Sequence, residues 1–158
     1  MRNIKFEELN KNQKELLQEA SKVMETAYNP YSNFYVGAAI RAQDGTVISA
    51  SNTENAAYGS TICAERNALG KANSMNKRMY DSIAIIARRK DFDTKEVTAP
   101  CGACRQMIFE SSQISEKNIE LILSTTKKDK IIVTSIDELL PLAFGPKDLG
   151  IDITKYQK

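Results

Sequence analysis

IAIIA, residues 83–87, is five apolar residues with no polar break. A run this short and this apolar fits a strand covered on both faces rather than one with a wet side. Something must then lie on each side of it, and the flanking sequence supplies candidates. Leu16, Ala20, Val23, Met24 and Ala27 recur at helical spacing, which predicts a first helix over residues 7–27, ended by Asn29-Pro30. Residues 62–73 and 102–111 predict two more helices, and Ser135-Ile136-Asp137-Glu138 has the form of a capping box opening a short fourth. VGAAIRAQDGTVISAS, residues 36–51, reads as two strands around Asp44-Gly45, a hairpin signal that predicts a type I′ turn with positive φ at both residues. IELIL (119–123) and IIVT (131–134) are further strands. The expected architecture is α/β, a sheet of about five strands between helical layers, in one domain spanning residues 1–158.

Composition narrows the chemistry. The formal net charge is +2, with basic residues dispersed among acids, so neither a nucleic-acid groove nor a membrane patch is expected. Lys127-Lys128-Asp129-Lys130 reads as a solvated turn. The first twenty residues lack the apolar core of a signal peptide, and no stretch approaches the roughly 20 apolar residues of a membrane span. A cytoplasmic location is expected. Three cysteines in a reducing compartment suggest metal or catalysis rather than a disulfide framework. There is no histidine, which removes Ser-His-Asp triads, Cys-His pairs and HExxH zinc sites.

All three cysteines fall in two short stretches: TICAERNAL (61–69) and APCGACRQM (99–107). Cys101 and Cys104, three apart at a helix start, can face one ion. Cys63 and Glu65, two apart, stand about 200° around an ideal helix and converge only on an ion near the helix N-terminus. There the unpaired N–H groups and the helix dipole favour a thiolate. A structural zinc site closes with four Cys or His ligands, whereas a catalytic site keeps one position open. Three thiols and no imidazole point to the open kind, although a carboxylate could still close it. Three thiolates and Zn²⁺ sum to −1, which opposes acidifying a bound water. Arg66 and Arg105 each directly follow a site residue, and one or both are expected to donate to the sulfurs and offset that charge. A thioredoxin-like use of the CxxC needs neither the third cysteine nor the glutamate.

Cys63-Ala64-Glu65 followed by Pro100-Cys101-Gly102-Ala103-Cys104 resembles the zinc-dependent nucleoside deaminases in their three-cysteine form. Within them the chain is similar to the small homotetrameric cytidine deaminases over about residues 15–150. The segments 31–39 (YSNFYVGAA), 52–58 (NTENAAY), Leu139-Leu140-Pro141 and 144–149 (FGPKDL) carry the resemblance further. It implies a three-layer α/β/α sandwich around a five-stranded mixed sheet, one zinc per subunit, and hydrolysis of cytidine and 2′-deoxycytidine by zinc-activated water. It implies zinc ligation by Cys63, Cys101 and Cys104, and proton transfer by Glu65. Phe34 would stack on the pyrimidine, Asn52 and Glu54 would bond the ribose, and Ala64 would touch substrate. Ala56, Tyr58 and Phe144 would line a neighbouring subunit's site. The family commonly has Ile at Thr53 and Ser at Ala99; a carbonyl at 99 receiving the substrate's amino group would serve either way. The rivals are a deaminase of another cytosine compound, such as blasticidin S, and a non-catalytic zinc module. The second has no need of Glu65.

Overall fold

A computed structural model describes residues 1–157. In chain order its elements are β1 (Arg2–Asn3), α1 (Lys11–Met24), β2 (Phe34–Ala42), β3 (Val47–Ser51), α2 (Ala64–Ser74), β4 (Tyr80–Arg89), α3 (Gly102–Ser115), β5 (Glu120–Ser124), β6 (Ile131–Ser135) and α4 (Ile136–Leu139), with short 3-10 turns between some of them. The strands form one sheet in the order β1-β6-β5-β4-β2-β3. Only β4 and β5 run parallel, and the other neighbours are antiparallel.

The apolar run in β4 lies at the sheet's centre and is covered on both faces, because side chains alternate along a strand. Ile83 and Ile85 enter one core with Ala38 and Ile40 of β2, Ala64 and Ala68 of α2 and Ile108 of α3. Ala84 and Ile86 enter the other, with Leu16, Leu17, Ala20 and Met24 of α1. The isoleucines of this run are fully buried, and each such side chain contributes about 1.5–3 kcal/mol. The result is the α/β/α sandwich, with α1 on one face and α2 and α3 on the other.

Three expectations need correction. The sheet has six strands, because Arg2 and Asn3 pair with Val133 and Ile132 along the free edge of β6. Two polar residues have no period to read, so the sequence gives no strand signal there. The first helix is shorter than residues 7–27. Asn10 starts it with a reciprocal cap, its Oδ1 accepting from Gln13 N–H at 2.9 Å and Gln13 Oε1 accepting from Asn10 N–H at 3.0 Å. It stops at Met24 because the chain beyond is drawn toward β3: Tyr28 N–H donates to Asn52 O, and Glu54 N–H to Tyr28 O.

The hairpin turn also differs. Gly45 N–H donates to Ala42 O, Ala42 N–H donates to Thr46 O, and only Gly45 has positive φ (+89°). This is the three-residue loop that ends in a glycine bulge, not the two-residue type I′ turn. The Glu138 carboxylate does reach back to Ser135 N–H at 3.2 Å, as the capping box at α4 predicts. Residues 127, 128 and 130 lie in a turn, where Lys130 pairs with Glu96 and Lys127 lies 3.7 Å from Asp93.

Candidate metal and substrate site

Two helix N-termini on the same face of the sheet build the site. Cys63 is the N-cap of α2 and Cys101 the N-cap of α3, both with extended backbone, and Cys104 lies in the first turn of α3. The three Sγ atoms lie within 4.8 Å of one another, and Cys101 and Cys104 are 3.5 Å apart. Tetrahedral zinc with Zn–S bonds near 2.3 Å needs sulfurs about 3.8 Å apart, so the cluster fits the ion with small adjustments. The chemistry agrees, because soft thiolate donors suit zinc, and among the described residues this is the one group of three or more such side chains that could hold a metal.

The electrostatics favour thiolate character. The Cys63 thiol is lowered to about 6, chiefly by its hydrogen bond with Cys104, with further help from Cys101 and the positive charge of Arg66. Cys104 moves the other way, because it donates to Cys63, is buried and faces the charge of Glu65. The cluster thus favours negative charge on Cys63 over Cys104. Glu65 is 4% exposed, and burial holds its carboxyl above the ordinary carboxylate range. Ala64, fully buried, lies between the cysteine and the acid.

The positive charge of Arg66 acts on Cys63. Arg105 is engaged elsewhere. Its Nε donates to Pro100 O at 2.8 Å and its Nη1 to Leu139 O at 2.9 Å. The fork of the guanidinium, held by two carbonyls, ties α3 to the end of α4.

The remaining candidates fall into two sets. Phe34 opens β2 and Asn52 follows β3, and the two meet: the Asn52 amide donates to Phe34 O at 3.0 Å, while its Oδ1 accepts from Val36 N–H at 2.9 Å. Glu54 Oε2 accepts from Tyr31 N–H at 2.9 Å and Ser32 N–H at 3.1 Å. Burial acts to raise this carboxyl, but the bonds from Ser32 and Tyr31 outweigh it, and the pKa lies below 4.5. Asn52 and Glu54, each 8% exposed, thus shape the 31–36 segment that presents Phe34. Ala56, Tyr58 and Phe144 are exposed, the last two by 74% and 61%. Tyr58 has the Tyr31 ring edge-on at 5.7 Å.

Sequence reasoning missed Asn67. Its amide donates to Ser51 O at 2.9 Å and Thr53 Oγ1 at 3.1 Å, fastening the metal-bearing helix to the end of β3. The available signal was its place one helical turn beyond Cys63, combined with a hydroxyl at 53 instead of an aliphatic side chain.

Comparison with known proteins agrees with this geometry. The pattern that defines the cytidine and deoxycytidylate deaminase zinc-binding region matches residues 10–119. A cytidine deaminase of Halalkalibacterium halodurans is 44% identical over 135 residues, covering 85% of this chain and 96% of that protein. One from Mycobacterium tuberculosis is 34% identical over 123 residues, covering 78% and 82%. The crystal structure of the Burkholderia pseudomallei cytidine deaminase superposes with a TM-score of 0.73 at 41% identity, over 82% of this chain and 97% of that one.

Proposed function

Because the chain belongs to the cytidine and deoxycytidylate deaminase family, we infer that it is a zinc-dependent hydrolase converting cytidine to uridine and ammonia, with 2′-deoxycytidine as a second substrate. One observation carries this reading: three thiols converge where two helices begin, with a buried carboxyl two residues from one of them. Cys63, Cys101 and Cys104 hold the metal. Zinc at this position supplies an acidified water as the nucleophile.

Glu65 does the proton work. It accepts a proton from the attacking water and delivers it to ring N3, which makes C4 more electrophilic. Glu65 then takes the second proton from the hydroxyl now on C4 and delivers it to the exocyclic nitrogen as the C4–N bond breaks, so ammonia leaves and the carbonyl of uridine remains. With no histidine in the chain, a carboxyl is the natural carrier for both transfers. Arg66 offsets the negative charge that three thiolates leave on the cluster.

Phe34 packs on the pyrimidine, Ala64 borders it, and Asn52 and Glu54 take the ribose hydroxyls with the bonding capacity left to them. The protein works as a homotetramer, in which Ala56, Tyr58 and Phe144 complete a neighbouring copy's pocket; the exposure of both aromatic rings in the single chain supports this. Three free thiols at one site suit a reducing compartment such as the cytoplasm.

The test is zinc-loaded protein given cytidine, 2′-deoxycytidine and blasticidin S in parallel, following ultraviolet absorbance and ammonia. The reading expects one ammonia per uridine formed and turnover of both nucleosides. No turnover of either nucleoside by zinc-replete protein would overturn it, and turnover of blasticidin S alone would move the assignment to that substrate class.

A further inference from the structure

The bonds of Arg105 connect two places that a deaminase of this kind must keep in step. Pro100 O, which Arg105 Nε grips at 2.8 Å, belongs to the residue immediately before the metal ligand Cys101. Leu139 O, which Nη1 grips at 2.9 Å, closes α4 and opens the segment 140–144. That segment displays Leu142, fully exposed and with a φ of +55°, and Phe144, 61% exposed. A left-handed backbone at a leucine is uncommon and must be held in place by its surroundings.

What holds this loop comes from the same face of α3. Gln106 Nε2 donates to Phe144 O at 2.8 Å. Gly145 presses so closely on Phe109 that a Cβ there would lie 2.7 Å from the ring. Asp148 accepts from Gly145 N–H at 2.7 Å. Arg105, Gln106 and Phe109 thus hold the loop, while Cys104, directly before Arg105, and Cys101, one turn earlier, carry two of the three thiols. Arg105 has no carboxylate partner among the described residues, so its half-buried guanidinium serves carbonyls alone. A single flexible ammonium could not span both acceptors with the same fixed geometry.

We propose that Arg105 is a positioning residue that locks the metal-bearing turn at Pro100 and Cys101 to the loop 140–144, so that metal retention and the presentation of Phe144 depend on one guanidinium. Gln106 fixes the far end of that loop. The proposal rests on the deaminase reading only where it concerns catalysis; the coupling itself is a property of the chain. It also separates the two arginines near the metal: Arg66 acts by charge and Arg105 by shape.

The test uses zinc-loaded wild type, Arg105→Lys and Gln106→Ala. Three quantities are read: zinc release to a chromophoric chelator, amide hydrogen exchange in residues 139–145, and kcat and KM for cytidine. Arg105→Lys keeps the charge and loses the fork. It is expected to speed zinc release severalfold and raise exchange in 139–145 in the same protein, and to increase KM more than it lowers kcat. Gln106→Ala, at an exposed position, is expected to raise exchange at 143–145 and KM while leaving zinc release at the wild-type rate. Wild-type zinc release and exchange in Arg105→Lys would overturn the proposal and return Arg105 to a charge role. Should Arg105→Lys not fold, wild-type exchange at 143–145 in Gln106→Ala would overturn it alone. An absence of cytidine turnover in wild type overturns the deaminase reading and leaves the zinc and exchange results to decide the coupling.

Discussion

Glu54 shows how one buried carboxylate can fix a whole segment of backbone. Its Oε2 is committed to the N–H groups of Tyr31 and Ser32, which fixes the segment that presents Phe34. Its folded pKa lies below 4.5, so the ionised form's contribution to stability is complete above that value and is lost as pH falls through the folded value. The difference in stability between wild type and Glu54→Gln is expected to shrink as pH falls through the folded value, measured by urea unfolding at fixed zinc. A difference that stays constant with pH would contradict the charge-dependent role. Arg66 gives a second residue-scale prediction. Arg66→Gln is expected to lower kcat while zinc stays bound, read by metal analysis beside steady-state kinetics; unchanged kcat at full zinc content would remove Arg66 from the account. A metal cluster could be read from the spacing of three cysteines in a chain without histidine, and a proton role for Glu65 only from the family resemblance. The bonds of Arg105 and Asn67 could not, since each ends on a backbone carbonyl or a hydroxyl that no sequence pattern announces.

Elements were legible where burial imposes a period and illegible where hydrogen bonds decide. The run at 83–87 announced the central strand because both of its faces are buried. The third helix runs four residues past the expected 111, and its serines spend their hydroxyls on the helix itself: Ser111 Oγ donates to Met107 O at 3.0 Å and Ser115 Oγ to Ser111 O at 2.7 Å. Polar residues of that kind look like a loop until the acceptors are in place. The contact between α1 and β2 gives a sharp test. A Cβ on Gly37 would fall 2.0 Å from Ala20 O and 2.9 Å from Met24 Cβ, so the helix lies directly on the strand's backbone. Gly37→Ala must push α1 off the sheet and is expected to cost about 3 kcal/mol or more, seen as a lower urea midpoint. Asn10→Ala removes only a cap and should cost about 1 kcal/mol. Equal midpoints for the two variants would contradict the close approach.

At the scale of the whole molecule, the sheet brings the starts of α2 and α3 together from positions about forty residues apart in the chain, and the metal joins them. Removing zinc should therefore lower the melting temperature by more than about 5 °C, because an ion bound only by the folded state stabilises it. Calorimetry of stripped and reloaded protein measures this, and an unchanged melting point would deny the metal a structural share. If one buried carboxyl carries the protons in a chain without histidine, Glu65→Gln is the variant that must reveal it. The variant is expected to stay folded, bind one zinc per chain, and lose more than about 10⁴-fold in kcat on cytidine, since Glu65 serves more than one transfer. A folded, zinc-bound variant that keeps kcat within about tenfold of wild type would contradict the account.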